Sequence, residues 1–442
     1  MIDGLFDLEE AGTNVRTEIV AGVTTFMTMS YIIFVQPAVL GAAGMNPGAV
    51  MVATCLSSAI AMVLMAVLTN YPIALAPAMG HNFFFAYIVV LTLGYSWQVA
   101  LGSVFIAGLI FILLSTVGLR EKLMIVLPDC LKNGIPVGIG LLIALVGLEW
   151  SGIVVGHQVT YVTLGNLKST PTLVSVFGLL LIALLLALRL RGAILIGIVA
   201  TSILGLIVGV IEFKGIVSAP PSILPTMLKL QFPNVFKDPN LLTVIFIFLF
   251  LDMFDTIGTL IGVGQQSGLM VDGKLPRARQ ALLTDAISTS AGALLGTSTI
   301  TAYIESASGI SAGGRTGLTN IVTALLMVGA IFFHPIIEMV GAGYKIQDGV
   351  TLYPVIAPAL IIVGALMFKN IVNVDWDDFT ESVPAFLTLI MMPLAFSITE
   401  GISIGVISYS LLKLFTGKRK EVHWLIYLFA ILFIARYIWL TE

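Results

Sequence analysis

Apolar runs of about 20 residues follow one another along nearly the whole chain, parted by short polar, glycine or proline breaks. A run of that length crosses a ~30 Å hydrocarbon core as a helix. The apolar–polar alternation of a membrane barrel is missing. Helices are expected at about 17–37, 48–69, 80–93, 97–118, 131–150, 172–190 and 192–212. A second set is expected at 243–264, 280–296, 303–313, 317–340, 351–369, 379–397 and 400–416, with an extra apolar stretch at 423–440. Between the sets, Glu212 to Asn240 holds Pro220, Pro221, Pro225, Pro233 and Pro239, a density that excludes helix. The reading is an all-α polytopic membrane protein of about 14 segments: a first repeat at 1–212, an outer linker at 213–240 and a second repeat at 241–417, then a basic loop with the extra helix at 418–442. Seven segments per half is an odd number, so the halves face opposite ways, as in inverted-repeat transporters.

Two elements at matching places break the pattern. One reads Tyr71-Pro-Ile-Ala-Leu-Ala-Pro-Ala-Met-Gly-His-Asn-Phe-Phe-Phe, the other Gly296-Thr-Ser-Thr-Ile-Thr-Ala-Tyr-Ile-Glu-Ser-Ala-Ser-Gly. Each begins with a non-helical run and then becomes helix-compatible, which predicts a short strand leading into a half-helix. Such interrupted segments point to a transporter's binding site, because the freed backbone is tolerated only where protein or water satisfies it.

A third stretch, Ile247-Phe-Leu-Phe-Leu-Asp-Met-Phe-Asp-Thr-Ile-Gly-Thr-Leu, is apolar enough to enter a bilayer yet carries Asp252 and Asp255. Each Asp at a helix centre costs ~2.5–3.5 kcal/mol on insertion scales. Three residues apart, the two share one helical face, which Thr256, Thr259 and Gln266 extend. That face must line a protein interior or a watered cavity. Glu305 opens the second half-helix, as a dipole partner or a functional acid. Asn82 opens the first, either as a helix cap or as a ligand contact. His81 beside it is either a second proton group, since imidazole titrates near neutrality, or a neutral donor to backbone. The first helix puts Thr24, Thr28 and Tyr31 on one face, and Asp285 is a further buried acid. Phe83, Phe84, Phe85 and Tyr303 bring aromatic faces to the polar groups. A planar, uncharged heterocycle suits this mixture, with rings for its faces and carboxylates for its N–H edges.

Composition narrows the class. Of 442 residues 58% are apolar and only 10% charged, far below what wets a soluble surface. The net charge of −3 offers no basic patch to nucleic acid. Cys55 and Cys130 are expected as free thiols, and the four histidines show no metal-ligand spacing. Asp3, Asp7, Glu9, Glu10 and Arg16 near the start make a poor signal peptide, so the first run is expected to stay as an anchor. With the N-terminus in the cytoplasm, fifteen Lys and Arg fall inside and six outside, counting Arg120, Lys122, Lys132, Lys274 and Lys369 as inner. That bias obeys the positive-inside rule and places the chain in the cell membrane. The Gly313-Gly314-Arg315 run lacks a phosphate-loop pattern, and no metalloprotease or nucleophile-elbow motif occurs. No cofactor is expected, and uphill work would draw on an ion gradient, with Asp252, Asp255 and Glu305 making protons the natural ion.

From Phe6-Asp-Leu-Glu-Glu-Ala-Gly-Thr-Asn-Val-Arg through Gly417, the chain resembles the AzgA-like purine permeases of the nucleobase–ascorbate transporter superfamily. The specific blocks are Asp252-Met-Phe-Asp-Thr-Ile-Gly-Thr-Leu and Tyr303-Ile-Glu-Ser-Ala-Ser-Gly-Ile-Ser-Ala-Gly-Gly-Arg-Thr-Gly-Leu-Thr. The resemblance implies two inverted sevens divided into core and gate domains, and proton-coupled uptake of adenine, guanine or hypoxanthine. It implies substrate-site roles for Asp252, Glu305 and Asn82, and a role in transport or proton coupling for Asp255. The third-segment block departs from the family's usual Ala-Pro-Gly-Met-Gly-Leu-Asn-Ala: here Ala78, His81 and Phe83 replace a glycine, an apolar residue and a small one. A bulkier aromatic beside Asn82 is expected to narrow or reshape the pocket.

The expected function is therefore proton symport of purine bases into the cytoplasm. Asp252, Glu305, Asn82, Thr28, Phe83 and Tyr303 are expected at the substrate, and Asp255, Asp252, Glu305 and His81 in proton coupling. The alternatives are a uracil or xanthine carrier of the same superfamily, an anion carrier of the sulfate-transporter fold, a channel, or, least favoured, an intramembrane enzyme. Lipid and a homodimer partner complete the expectations, because related folds often dimerise. The 423–440 stretch is expected to span or lie at the interface, with Trp424, Tyr427, Tyr437 and Trp439 anchoring it among headgroups.

Overall fold

Proline and small residues decide where the apolar runs become helical. The computed structural model describes residues 6–118, 126–232, 237–270, 275–341, 343–346 and 350–439, without the side chains of Phe254, Gln265, Gln266 and Trp439. Asp3, Arg120, Lys122, Pro233 and Lys274, residue 440, and the side chains of Gln266 and Trp439 thus lie outside the described residues.

The first run turns at Ser30 into α1 (Val15–Met29) and α2 (Tyr31–Ala42). It passes through Pro37 instead of ending there, which a membrane helix tolerates when neighbours satisfy the freed carbonyl. After α3 (Pro47–Thr69) come strand β1 (Leu75–Pro77), half-helix α4 (Met79–Phe83) and a π-type continuation, Phe84–Thr92. Next are α5 (Trp97–Thr116), α6 (Asp129–Trp150), α7 (Thr170–Ala187) and α8 (Ala193–Ile207). An exposed hairpin, β2 (Val154–His157) with β3 (Tyr161–Leu164), was not foreseen.

The second half holds α9 (Pro239–Ser267), α10 (Ala278–Leu295), β4 (Ile300–Ala302), α11 (Ser306–Ser311) and α12 (Gly317–Ala330), with α13 (His334–Gly341) continuing the latter past a short 3-10 turn. A two-residue hairpin, β5 (Tyr344–Lys345) with β6 (Thr351–Leu352), delays the next helix, α14 (Ala357–Met367), which ends in a 3-10 turn at Phe368–Asn373. Then come α15 (Phe379–Leu394), α16 (Ile398–Phe415) and α17 (Trp424–Trp439). Among the described residues eight helices are long and apolar enough to cross a membrane, and shorter apolar helices alternate with them. The chain is a multi-pass membrane protein of the expected two-times-seven architecture.

Packing separates two bodies. In the first, α3 packs on α2, α10 and α12, α5 on α10, and α1 on α11 and α12. In the second, α6 packs on α14, α15 and α16, and α7 on α8 and α14. α9 touches both, resting on α5 and α11 on one side and α6 on the other. The second body is closed by glycine: a Cβ on Gly140 would lie 2.8 Å from the Gly364 carbonyl oxygen, and one on Gly147 2.9 Å from that of Ala357. Such close backbone approach drives helix association where lipid is as apolar as the side chains.

The final helix leans on α16 of the second body and on α9. Arg436 of α17 meets Glu400 of α16 at 2.7 Å, and Tyr437 donates to the same carboxylate. On the other side Phe429 and Phe433 pack against Phe250 of α9, at ring separations of 5.7 and 5.5 Å. Tyr437 thus directs its hydroxyl to the half-buried Glu400 beside Arg436.

A buried carboxylate with no place in the expected site holds the first body together. Glu18 on α1 is fully buried and accepts from the backbone N–H of Arg315 at 2.8 Å and of Thr319 at 3.2 Å, and from the Thr319 hydroxyl. It thus caps α12 from a neighbouring helix, where orphan donors and the dipole favour an anion. Glu18→Ala leaves these donors unanswered and is expected to destabilise the protein by about 1–3 kcal/mol, lowering the melting midpoint in detergent, with Glu18→Gln recovering part of the loss. An unchanged midpoint for the alanine variant would dismiss this role.

Candidate functional site

The two interrupted elements meet. β1 pairs antiparallel with β4, matching Leu75 with Ala302, Ala76 with Thr301 and Pro77 with Ile300. Backbone bonds extend the pairing at each end, Ala78 N–H to Thr299 and Tyr303 N–H to Ala74, both at 2.9 Å. Side chains complete it. Asn320 donates to the carbonyls of Tyr71 and Ile73, Ser306 Oγ accepts from Ala74, and the Thr289 hydroxyl serves both backbone groups of Ile300. The backbone is thereby satisfied at a depth where no lipid would do it. The antiparallel pairing sends Ala78-Met79-Gly80 and Tyr303-Ile304-Glu305 out from opposite ends of the ladder, and both segments line one cavity.

A cavity of about 80 Å³ opens at this junction. Tyr31, Asp255, Thr259, Thr301, Tyr303 and Glu305 line it from the first body; Pro136, Ile139 and Ile143 of α6, with Val363, Met367 and Asn370 from α14 and its 3-10 turn, face them. Glu305 stands at the N-cap of α11 without a side-chain capping bond; its Oε1 accepts from the Tyr31 hydroxyl at 2.7 Å. Tyr303 donates to the Pro77 carbonyl at 2.6 Å, and its ring lies 6.4 Å from that of Tyr31. Asp255 Oδ2 accepts from Thr301 at 3.4 Å and lies 3.9 Å from Nδ1 of His81. His81 is buried, and neither ring nitrogen has a hydrogen-bond partner among the described residues, so the expected alternative of a donor to backbone is not realised.

Other expected residues sit behind this lining. Asp252, one turn before Asp255, is fully buried and outside it, while Asp285 accepts from Thr256 at 2.8 Å. Asn82 lies inside α4 rather than at its N-cap, which removes the capping reading; its amide joins Gln36 of α2 to Ser298 ahead of β4. Thr28 bonds back to the carbonyls of Thr24 and Thr25 and approaches that of Glu305 at 3.5 Å. Phe83 does not line the cavity: it stacks on Tyr87 at 5.8 Å and meets Trp150 of the second body at 6.4 Å. Gln36 was missed by sequence reasoning, although a lone amide in the run Tyr31-Ile-Ile-Phe-Val-Gln-Pro was a signal. Asn370 was missed too, lying where an apolar helix gives way to a loop.

The cavity continues into a wider one of about 380 Å³, sharing Pro136, Gly258, Gly262 and Asn370 with it. Asp129, Lys132, Asn133 and Asn373 line its outer part. At the opposite end Trp150 packs on Tyr353 at 4.4 Å and Tyr87 on Phe396 at 5.9 Å. The site is thus connected toward the Lys132 end and packed with rings toward the Trp150 end.

Residues 16–404 match the Permease family. A putative permease of Methanocaldococcus jannaschii is 48% identical over 442 residues, covering 100% of this chain and 99% of that protein. The adenine permease AdeP of Escherichia coli is 44% identical, with 100% and 96% covered, and the guanine/hypoxanthine permease PbuG of Bacillus subtilis is 45% identical, with 98% and 99% covered. Among solved structures, the transmembrane domain of the cyanobacterial bicarbonate transporter BicA is similar in fold alone, with a TM-score of 0.62 at 16% identity over 90% of this chain and 97% of that one. The chain belongs to the Permease family, in the AzgA-like branch of the nucleobase–ascorbate transporters that its DxxD and IES blocks resemble.

Proposed function

We propose that this nucleobase transporter imports purine bases together with protons. Relatives named for adenine and for guanine and hypoxanthine support the substrate class. The observation that carries the mechanism is the placement of Asp255 and Glu305 in one cavity against an apolar wall. Ionised carboxylates only accept hydrogen bonds, so they take the N–H edge of a neutral base, while Ile139, Ile143 and Val363 cover its face. A neutral ring avoids the cost of carrying a charge into a low-dielectric cavity.

In this reading Glu305 is the direct ligand and Tyr303 supplies an aromatic face. Asp252, Asn82 and Thr28 act from behind, Asn82 by holding α4 to Gln36 and Ser298. Asp255 and His81 form the proton couple, with Asp252 and Glu305 electrostatically linked to it. A proton on His81 turns its 3.9 Å approach to Asp255 into an ion pair. Loading from outside lowers the charge of the acidic site and favours movement of the first body against the second. With the N-terminus in the cytoplasm of a cell membrane, as the charge bias argues, the cavity beside Lys132 faces inward and the conformation is the releasing one. The division of the repeats at 213–240, lipid contact and a homodimer belong to the same proposal.

Uptake of labelled hypoxanthine, guanine and adenine into proteoliposomes tests the substrate, with uracil and xanthine as competitors. Uptake is expected to accelerate when the outside is acidic; indifference to the gradient sinks the coupling. Glu305→Gln and Asp255→Asn are expected to weaken uptake by about 10- to 150-fold, the worth of a hydrogen bond to a charged group, while melting unchanged in detergent. Wild-type rates in both variants would dismantle the site.

His81 separates binding from coupling. His81→Leu is expected to leave base binding within about threefold, since His81 does not line the cavity, while abolishing acceleration by an acid-outside gradient. Retained acceleration would remove His81 from the couple. The threefold allowance corresponds to roughly 0.6 kcal/mol.

A further inference from the structure

The two walls of the binding cavity are chemically unequal. The first body contributes two carboxylates and several hydroxyls; the second contributes Pro136, Ile139, Ile143, Val363 and Met367, plus a single polar side chain, Asn370. An amide at the end of an apolar helix is commonly no more than a solvated loop residue. Three observations oppose that here. Asn370 is only partly exposed, within the 3-10 turn Phe368–Asn373 that follows α14. It lines both the 80 Å³ cavity and the 380 Å³ one, so it stands at the neck between them. Its side chain makes no hydrogen bond with the described residues, whereas neighbouring Asn133 is engaged with the carbonyls of Asp129 and Asn373.

Resting on the nucleobase reading above, we infer that Asn370 is the specificity-determining residue of the second wall, donating its amide N–H to the acceptor edge of the bound base. The carboxylates opposite read only donors. The Tyr31 hydroxyl is committed to Glu305 and that of Thr301 to Asp255. That leaves the Thr259 hydroxyl as the lining donor of the first wall, and from the far wall the one amide that can serve an exocyclic oxygen is Asn370. A base that presents an amino group at the same position donates instead, and meets the amide oxygen after a flip of the amide plane. The wild-type residue thus accepts both edges. A substitution that keeps only one half of the amide must separate them.

The test compares Asn370→Asp and Asn370→Leu with the wild type in proteoliposomes, reading KM and Vmax for hypoxanthine and adenine. Asn370→Asp keeps the acceptor and loses the donor, so the KM ratio of hypoxanthine to adenine is expected to rise about five- to tenfold, the worth of one hydrogen bond. Asn370→Leu loses both and is expected to raise both KM values together. An unchanged ratio in the Asp variant overturns the inference, as does a fall in Vmax with both KM values unmoved, which would make Asn370 part of closure instead of reading. Failure of the wild type to carry either base is a separate result: it removes the substrate reading itself.

Discussion

Everything at the site follows from the cost of an unpaired peptide group inside a membrane. Two chain segments stop being helical at mid-depth, and each exposes donors and acceptors that hydrocarbon cannot answer. They answer one another through β1 and β4, and the ends of the short ladder are finished by Asn320, Ser306, Thr289 and Tyr303. Once the strands are paired, the segments that follow them have no freedom of placement. Met79 and Glu305 leave from opposite ends of the ladder, and the cavity forms where neither half-helix fills the space. Gln36, Asn82 and Ser298 bolt the same junction from behind. The polar residues in this region are mostly scaffold, and that is why so few of them touch the cavity.

The acids that do touch it are held by hydroxyls, as fully buried Glu18 and Asp285 are by Thr319 and Thr256, and not by cations as the half-buried acids that join helices are. Glu400 is met by Arg436 and Glu381 by Lys413, and both pairs serve the joining of helices. Glu305 and Asp255 are met by hydroxyls, Tyr31 and Thr301. A full ion pair would fix the charge in place, since separating a buried pair costs several kcal/mol. A hydroxyl stabilises a carboxylate yet yields to a better partner, because it can rotate and it carries no net charge. In the proposed reading, acids held this way remain able to take a proton or a base.

How much of this was legible follows from the kind of signal involved. Run length and proline placement located most helices within a few residues, the one expected from 351 being displaced to Ala357 by a hairpin, and the two broken elements were visible because Pro72, Pro77 and the Thr297-Ser-Thr run disfavour helix. Asp255 and Glu305 were visible because a carboxylate in an apolar run demands a reason. What could not be read was direction. Asp252 and Asp255 share a face by spacing, yet only Asp255 reaches the cavity, since its wall is set by how α9 lies between α5 and α6. Asn82 looked like a cap because it begins an apparent helix, but the strand pairing moves the true N-cap back to Ala78. The opposing wall was unreadable in principle: Ile139, Val363 and Met367 are ordinary apolar residues until two distant helices are brought together.

That dependence on distant packing also settles what a large residue at position 83 does in this conformation. Beside Asn82 it invites a reading as a pocket-narrowing ring, yet the half-helix turns Phe83 away from the cavity and toward Tyr87 and Trp150. Trp150 continues to Tyr353 and Tyr87 to Phe396, so five rings bridge the two bodies on the side opposite the neck at Asn370. Offset and edge-on ring pairs contribute about 0.5–1.5 kcal/mol each beyond their buried area. The two pairs that cross, Phe83 with Trp150 and Tyr87 with Phe396, have to part if the bodies are to open on that side. A small residue at 83 would remove two of these pairs without altering the cavity lining. Under the proposed alternating-access reading, the size of residue 83 bears on the balance between access states, and the choice among substrates falls to the residues that line the cavity.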